Sequence, residues 1–225
     1  MDESSVKSVE IIDLTHTIRD GLVTYPGLPA PRMSAFLTHD ESQGRYAPGV
    51  AFHIGRIEMV ANTGTYVDAP FHRYVDRETI AGVPLERLAW LDGLVVDGAG
   101  AIGPDAFAEL DVGGKAVLIR TGSDRLWGTR AYFETNPHLT EAGADALVRG
   151  GAALVGIDAV NIDSMADGAR PAHSHLLAAG IPVVEHLANL GALPARGFRF
   201  FAVPAKVDGI GSFPVRAFAL IVAPP

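Results

Sequence analysis

The sequence predicts a mixed α/β fold. Three observations carry that reading: strand-length apolar runs recur along the whole chain, few segments have helix punctuation, and the 25 Gly and 15 Pro of the 225 residues are scattered rather than clustered. The β-branched or apolar runs Val9–Leu14, His53–Val60, Leu94–Val96, Ala116–Arg120, Ala153–Ile157, Pro182–Val184, Phe198–Val203 and Arg216–Val222 read as strands. A helix is predicted from Thr140 to Arg149, with Thr140 as N-cap, Glu141 in the first turn and Gly150-Gly151 ending it. A second runs from His173 to Ala179, stopped by Gly180 and Pro182, with short helical turns at Pro84–Leu88 and Pro104–Glu109. The first half is mainly strand and the second alternates, so a mixed sheet with helices packed against it is expected.

Composition narrows the class. Hydrophobic residues at 48% suffice for one sizeable core, and 20% charged residues argue against disorder. No linker or repeat divides the chain, so residues 1–225 are read as a single domain. The formal charge of -8, with no Lys/Arg run, lacks the electrostatic footprint of nucleic-acid binding. With no cysteine, disulfides, thiolate metal sites and a Cys nucleophile are excluded. The polar start MDESSVKSVEIIDLTH shows no signal peptide, and no apolar run nears the ~20 residues of a membrane span. A cytoplasmic protein is expected.

Three polar clusters can carry chemistry. The first is Asn62-Thr63-Gly64-Thr65-Tyr66-Val67-Asp68-Ala69-Pro70-Phe71-His72, a turn-rich segment after a strand. Its Asp68 can bind a hard or borderline metal, and the His72 imidazole can exchange protons near neutral pH. The same residues equally describe a capped loop with Asp68 bonded to backbone N–H groups. The second is His173-Ser174-His175 followed by Glu185-His186. His173 and His175 point to different helix faces, so one at most joins a given site; a solvated face is the plainer alternative. The third, Asp158-Ala159-Val160-Asn161-Ile162-Asp163, is read as turn capping or a polar site wall, its spacing being wrong for an EF-hand. Gly209-x-Gly211 has no third glycine on a following helix, and no dinucleotide site is assigned to it. Trp90 and Trp127 are expected in the core or a pocket wall, and the loops Arg32–Val50 and Leu126–Asn136 around the pocket.

Taken in order, these segments resemble the cyclase family that includes bacterial kynurenine formamidase and isatin hydrolase. The resemblance starts at Ile11–His16 and Tyr25-Pro26-Gly27. It continues through the central motif, HTGTHxDAPxH in the family, then Gly156-Ile157-Asp158, the H-x11-E spacing of His173 to Glu185, and Pro214-Val215-Arg216-Ala217. It implies a swivelling β/β/α domain, a homodimer or homotetramer, a zinc or manganese centre, and hydrolysis of amide or lactam bonds in a small molecule. By position it implies Asp68, His173 and Glu185 as metal ligands and His72 as general acid/base.

The motif is altered here: Asn62 and Tyr66 stand where the family has two histidine ligands. A carboxamide oxygen and a phenol are poor ligands beside imidazole. One divalent ion, Mn or Zn, is therefore expected to bind weakly or not at all, with Tyr66 hydrogen-bonding the substrate or Asp68. Three functions follow: a metal-assisted hydrolase of amide, formamide or lactam C–N bonds; a metal-independent cyclase, dehydratase or isomerase using Tyr66 and His72, with Asn62 beside them; or an inactive binding homologue.

Overall fold

The computed structural model describes residues 9–222. Its main element is a nine-stranded mixed sheet in the order β1 (Val9–Asp13), β13 (Phe218–Val222), β11 (Arg196–Phe201), β5 (Leu91–Asp97), β7 (Ala116–Arg120), β9 (Leu154–Ile157), β10 (Val183–Glu185), β4 (Tyr66–Asp68) and β12 (Ser212–Pro214). Strands β5, β7, β9 and β10 run parallel, and the strands on either side of them pair antiparallel. The parallel strands read as continuous apolar runs because both of their faces are buried. In β7, Val117 and Ile119 join one core cluster while Ala116 and Leu118 join the other. The Val117 side is covered by α3 (Glu141–Arg149) and α4 (Pro171–Ala178), through residues such as Leu147, Leu176 and Leu177. The opposite cluster gathers Leu14, Leu187, Phe198 and Phe200.

Helix α3 begins where its sequence says: the Thr140 side chain accepts from the Gly143 N–H at 3.1 Å, and Arg149 is its last residue before Gly150. The expected helix at His173 starts at Pro171, whose ring has no N–H to lose in the first turn. Two short helices, α1 (His39–Ser42) and α2 (Arg130–Glu134), and a small pair β6 (Ala101–Ile102) with β8 (His138–Leu139) complete the frame. No helix among the described residues is long and apolar enough to cross a membrane.

Three local expectations change. The central motif is not all loop, since Tyr66–Asp68 is a buried strand between β10 and β12. Arg32–Val50 contains β2 (Arg32–Leu37), which pairs with β3 (Ile54–Glu58) as a separate two-stranded arm. Trp90 is 62% exposed, edge-on to Phe201 and beneath the Arg199 guanidinium, so it is neither core nor pocket wall. Trp127, expected in the core or a pocket wall, lines a second cavity and stacks flat on His16 with ring centroids 4.1 Å apart.

Candidate active site

Strand register builds the site. Along β4, Tyr66 and Asp68 lie two residues apart and share a face, while Val67 joins the core on the other. Glu185 of β10 stands directly opposite Tyr66, and Ser212 of β12 directly opposite Asp68. Side chains opposed in this way meet. The Tyr66 hydroxyl donates to Glu185 Oε2 at 2.5 Å, and the Ser212 hydroxyl donates to Asp68 Oδ1. Tyr66 therefore hydrogen-bonds Glu185 rather than Asp68, one of the two partners expected for it. Burial and the neighbouring Glu185 and Asp68 raise its pKa well above the phenol value, which makes it a poor acid.

Ser212 is a hub. Besides Asp68 it contacts Asn62 Nδ2 at 3.1 Å and His72 Nδ1 at 2.9 Å; Asn62 Nδ2 also reaches Asp68 Oδ1 at 3.4 Å. With its one proton given to Asp68, the Ser212 oxygen accepts from both nitrogens. That assigns the proton of a neutral His72 to Nδ1 and leaves Nε2 as the free lone pair. His72 ends the 3-10 turn Pro70–His72, half-exposed, while Asp68 is fully buried. Its backbone is packed on Gly211: a Cβ there would lie 2.5 Å from His72 N and Cα. Gly211 thus serves close packing behind the site.

His173 enters from the first turns of α4. Asp163 caps this helix, accepting from Ala172 N at 2.6 Å and His173 N at 3.1 Å, and also holds the ring through Nδ1 at 2.6 Å. Asp163 thus caps a turn, as expected, and in addition orients the site histidine. His173 Nε2 faces inward, 3.5 Å from Asp68 Oδ2 and 3.6 Å from Glu185 Oε1. Burial alone would depress the imidazole, but Glu185, Asp163 and Asp68 outweigh it and raise its pKa to about 10. Asp68, despite burial, is lowered by His72, His173 and Ser212, whereas burial keeps Glu185 above the usual carboxylate range.

Asp68 Oδ2 and His173 Nε2 are buried and have no hydrogen-bond partner. Ligand atoms of Asp68, His72 and His173 lie within 4.8 Å of one another, so this cluster can hold a metal ion. Each Glu185 oxygen already accepts one hydrogen bond, from Ile162 N or from Tyr66, and keeps one lone pair. Separations of 3.5–3.6 Å from the His173 nitrogen to the two carboxylates suit donors around one divalent ion. Asp163 behind His173 is the customary second partner of a metal-binding imidazole. The residues present fit a single ion; Asn62 and Tyr66 do not supply a second position.

Above these groups lies a cavity of about 300 Å³ lined by Tyr25, Leu28, Asn62, Tyr66, His72, Arg73, Asn161, Arg170 and His173. Neither Arg32–Val50 nor Leu126–Asn136 contributes a lining residue, contrary to expectation. His175 lies on the other face of α4 against Asp145 and Glu141. Asp68 is bonded through side chains, not to the backbone N–H groups of a capped loop. Sequence reasoning missed Ser212, whose only signal is its place two residues before Pro214, and it missed Arg73 and Arg170 at the pocket.

A family model described as "Putative cyclase" matches residues 12–164. The kynurenine formamidase of Salinibacter ruber is 28% identical, the alignment covering 92% of this chain and 95% of that protein. That of Geobacillus thermodenitrificans is 31% identical over 73% of this chain and 78% of its own. Among solved structures, one described as a potential metal-dependent hydrolase with cyclase activity superposes with a TM-score of 0.77 at 28% identity, covering 96% of this chain and all (100%) of that one. Isatin hydrolase A from Labrenzia aggregata, at 24% identity, shares the fold with a TM-score of 0.81 over 96% of this chain and 94% of its own. With the motif order, the site register and the fold in agreement, the chain belongs to the cyclase family and is an enzyme of the hydrolase type.

Proposed function

We propose that this protein hydrolyses the C–N bond of an amide, formamide or lactam in a small molecule, with His72 as general acid/base. The observation that carries the proposal is the meeting of two unpartnered buried atoms, Asp68 Oδ2 and His173 Nε2, beside His72 in an open cavity. The relatives named kynurenine formamidase support the reaction class. Asp68, His173 and Glu185 would hold one divalent ion, manganese or zinc, which when bound supplies Lewis acidity at the carbonyl oxygen. His72 Nε2 takes the proton of the attacking water and returns it to the leaving nitrogen, while Ser212 and Asp68 fix the ring orientation. Asn62 and Ser212 hold Asp68 in place.

The test combines metal analysis of protein purified without added metal with turnover of an aryl formamide. Less than one equivalent of manganese or zinc as purified, rising to one when the metal is supplied, activity lost on chelation, and a fall of about 10²–10⁴ in turnover for His72→Asn are expected, with the fold retained. Failure to turn over any amide, formamide or lactam, with either metal supplied, refutes the proposal. One observation favours a second, metal-independent reading: the His173 ring sits among three carboxylates, 2.6 Å from Asp163, 3.5 Å from Asp68 and 3.6 Å from Glu185, which favour its charged form. Undiminished turnover after chelation would select it.

The arm β2–β3 supports a further part of the proposal, a homodimer. Phe36 is 62% and Ile57 61% exposed, with Met33, Phe52 and Ile54 also open. An isolated two-stranded hairpin is marginal in water, and a second copy would cover these side chains.

A further inference from the structure

The floor and the rim of the candidate cavity differ in charge. His173 lines the floor, with the buried carboxylates of Asp68 and Glu185 beneath it and Asp163 behind it. Two guanidinium groups, Arg73 and Arg170, line the rest of the lining together with Tyr25 and Leu28. Some arginines of this acidic chain are matched with carboxylates, among them Arg120 with Asp97, Arg199 with Asp92 and Arg216 with Asp13. Arg73 and Arg170 make no such pair among the described residues; their bonds go to neutral oxygens.

Arg170 Nη1 donates to Ser164 O at 3.0 Å and Asn161 Oδ1 at 3.4 Å, and its Nη2 to the Tyr25 hydroxyl at 3.3 Å. A guanidinium has five N–H donors, so two remain for a ligand. Arg73 Nε donates to Ser174 Oγ at 3.2 Å, and its guanidinium lies over the Tyr74 ring. Arg170 also has a left-handed backbone, φ 50° and ψ 56°, at the N-cap of α4. A side chain with a Cβ is disfavoured there, and such strain persists where the surrounding structure enforces it, often at ligand sites. At Arg170 three hydrogen bonds to neutral oxygens hold the cation at the cavity.

We propose that Arg170 and Arg73 bind a carboxylate on the substrate, so that the pocket selects acylamino or lactam compounds carrying an acid group over their neutral counterparts. The choice of reaction rests on the hydrolase reading above; the anion site rests on the two arginines. The guanidiniums draw the carboxylate to their side of the cavity, which leaves the scissile C–N bond of the same molecule toward His72. Tyr25 and Leu28 supply an apolar wall, and about 300 Å³ suits a molecule built on one ring.

The test compares 2-formamidobenzoate with formanilide, which differ by the carboxylate, in wild type, Arg170→Gln, Arg170→Lys and Arg73→Gln. Wild type should prefer the acid by about tenfold or more in kcat/KM, through KM and increasingly at low salt. Arg170→Gln and Arg73→Gln should each reduce that preference severalfold, and Arg170→Lys should retain part of it. Equal kcat/KM for the two compounds in wild type, or a preference untouched in both Gln variants, overturns the proposal. If neither compound is hydrolysed, the hydrolase reading fails, and calorimetric binding of 2-aminobenzoate against aniline decides the anion site. Tighter binding of 2-aminobenzoate that weakens in Arg170→Gln upholds it; equal binding, or none, overturns it.

Discussion

Acidification from pH 7 to pH 5 is expected to weaken the fold through His186. This residue is completely buried, its Nδ1 lies 2.7 Å from the Tyr132 hydroxyl, and its Nε2 has no partner. Burial, reinforced by nearby His16, lowers its pKa from 6.5 to about 3. In the folded chain it stays neutral throughout this range, while in the unfolded chain it gains a proton below about pH 6.5. The unfolded state binds more protons, so stability that is complete above about 6.5 is lost as pH falls toward 3. At about 1.4 kcal/mol per pH unit, the loss between pH 7 and pH 5 is ~2 kcal/mol. His16, lowered to about 4 by burial, acts in the same direction with a smaller share because it is partly exposed. Urea unfolding followed by far-UV circular dichroism at both pH values measures the sum. The comparison variant is His186→Asn, because asparagine tolerates the φ of 56° at this position and does not titrate. It should be less stable at pH 7 through lost packing, yet lose ~2 kcal/mol less than wild type on going to pH 5. Equal losses in the two proteins would refute the assignment.

Other outcomes follow from the site. Gly211→Ala drives a methyl group into the His72 backbone and should destabilise by about 1–3 kcal/mol while lowering turnover, read from thermal melts and steady-state rates. Asn62→His with Tyr66→His frees Glu185 Oε2 and adds two imidazoles. Calorimetric zinc titration should then show a gain of several kcal/mol, and tight stoichiometric zinc in wild type with no gain would contradict it. Light scattering at micromolar concentration should show at least a dimer, and Phe36→Glu with Ile57→Lys should shift it toward monomer; a monomeric wild type refutes the proposed interface.

The elements legible in the sequence are those with strong local signals. Ala116–Arg120 is a strand to the residue because four successive apolar side chains are buried on both faces. Helix α3 is bounded by a real Thr140 cap and by Gly150. Two strands at the site escaped notice, Tyr66–Asp68 and Ser212–Pro214; they are three residues long and carry Asp, Ser and Pro, which read as turn chemistry. They are strands because each pairs with a neighbour far away in sequence, and nothing local announces that. Asp68, His72, His173 and Glu185 were legible as a motif, and the structure brings all four together. Ser212 was not, because its place opposite Asp68 is a matter of register, and Arg170 was not, because its position depends on a rare backbone conformation.

The register of β4 also has a consequence for biosynthesis. Asp68 meets Ser212 across 144 residues and Tyr66 meets Glu185 across 119, while β1 waits for β13. During synthesis the motif that bears Asp68 leaves the ribosome long before either neighbouring strand exists. Until β12 has emerged, Asp68 lacks its serine donor, and β4 has no partner on that side. A nascent chain, or any fragment ending before β12, can hold the parallel centre of the sheet but not the acid/base centre. Folding of this protein is therefore expected to be late and dominated by distant contacts, with activity appearing only once β12 is available to pair with β4.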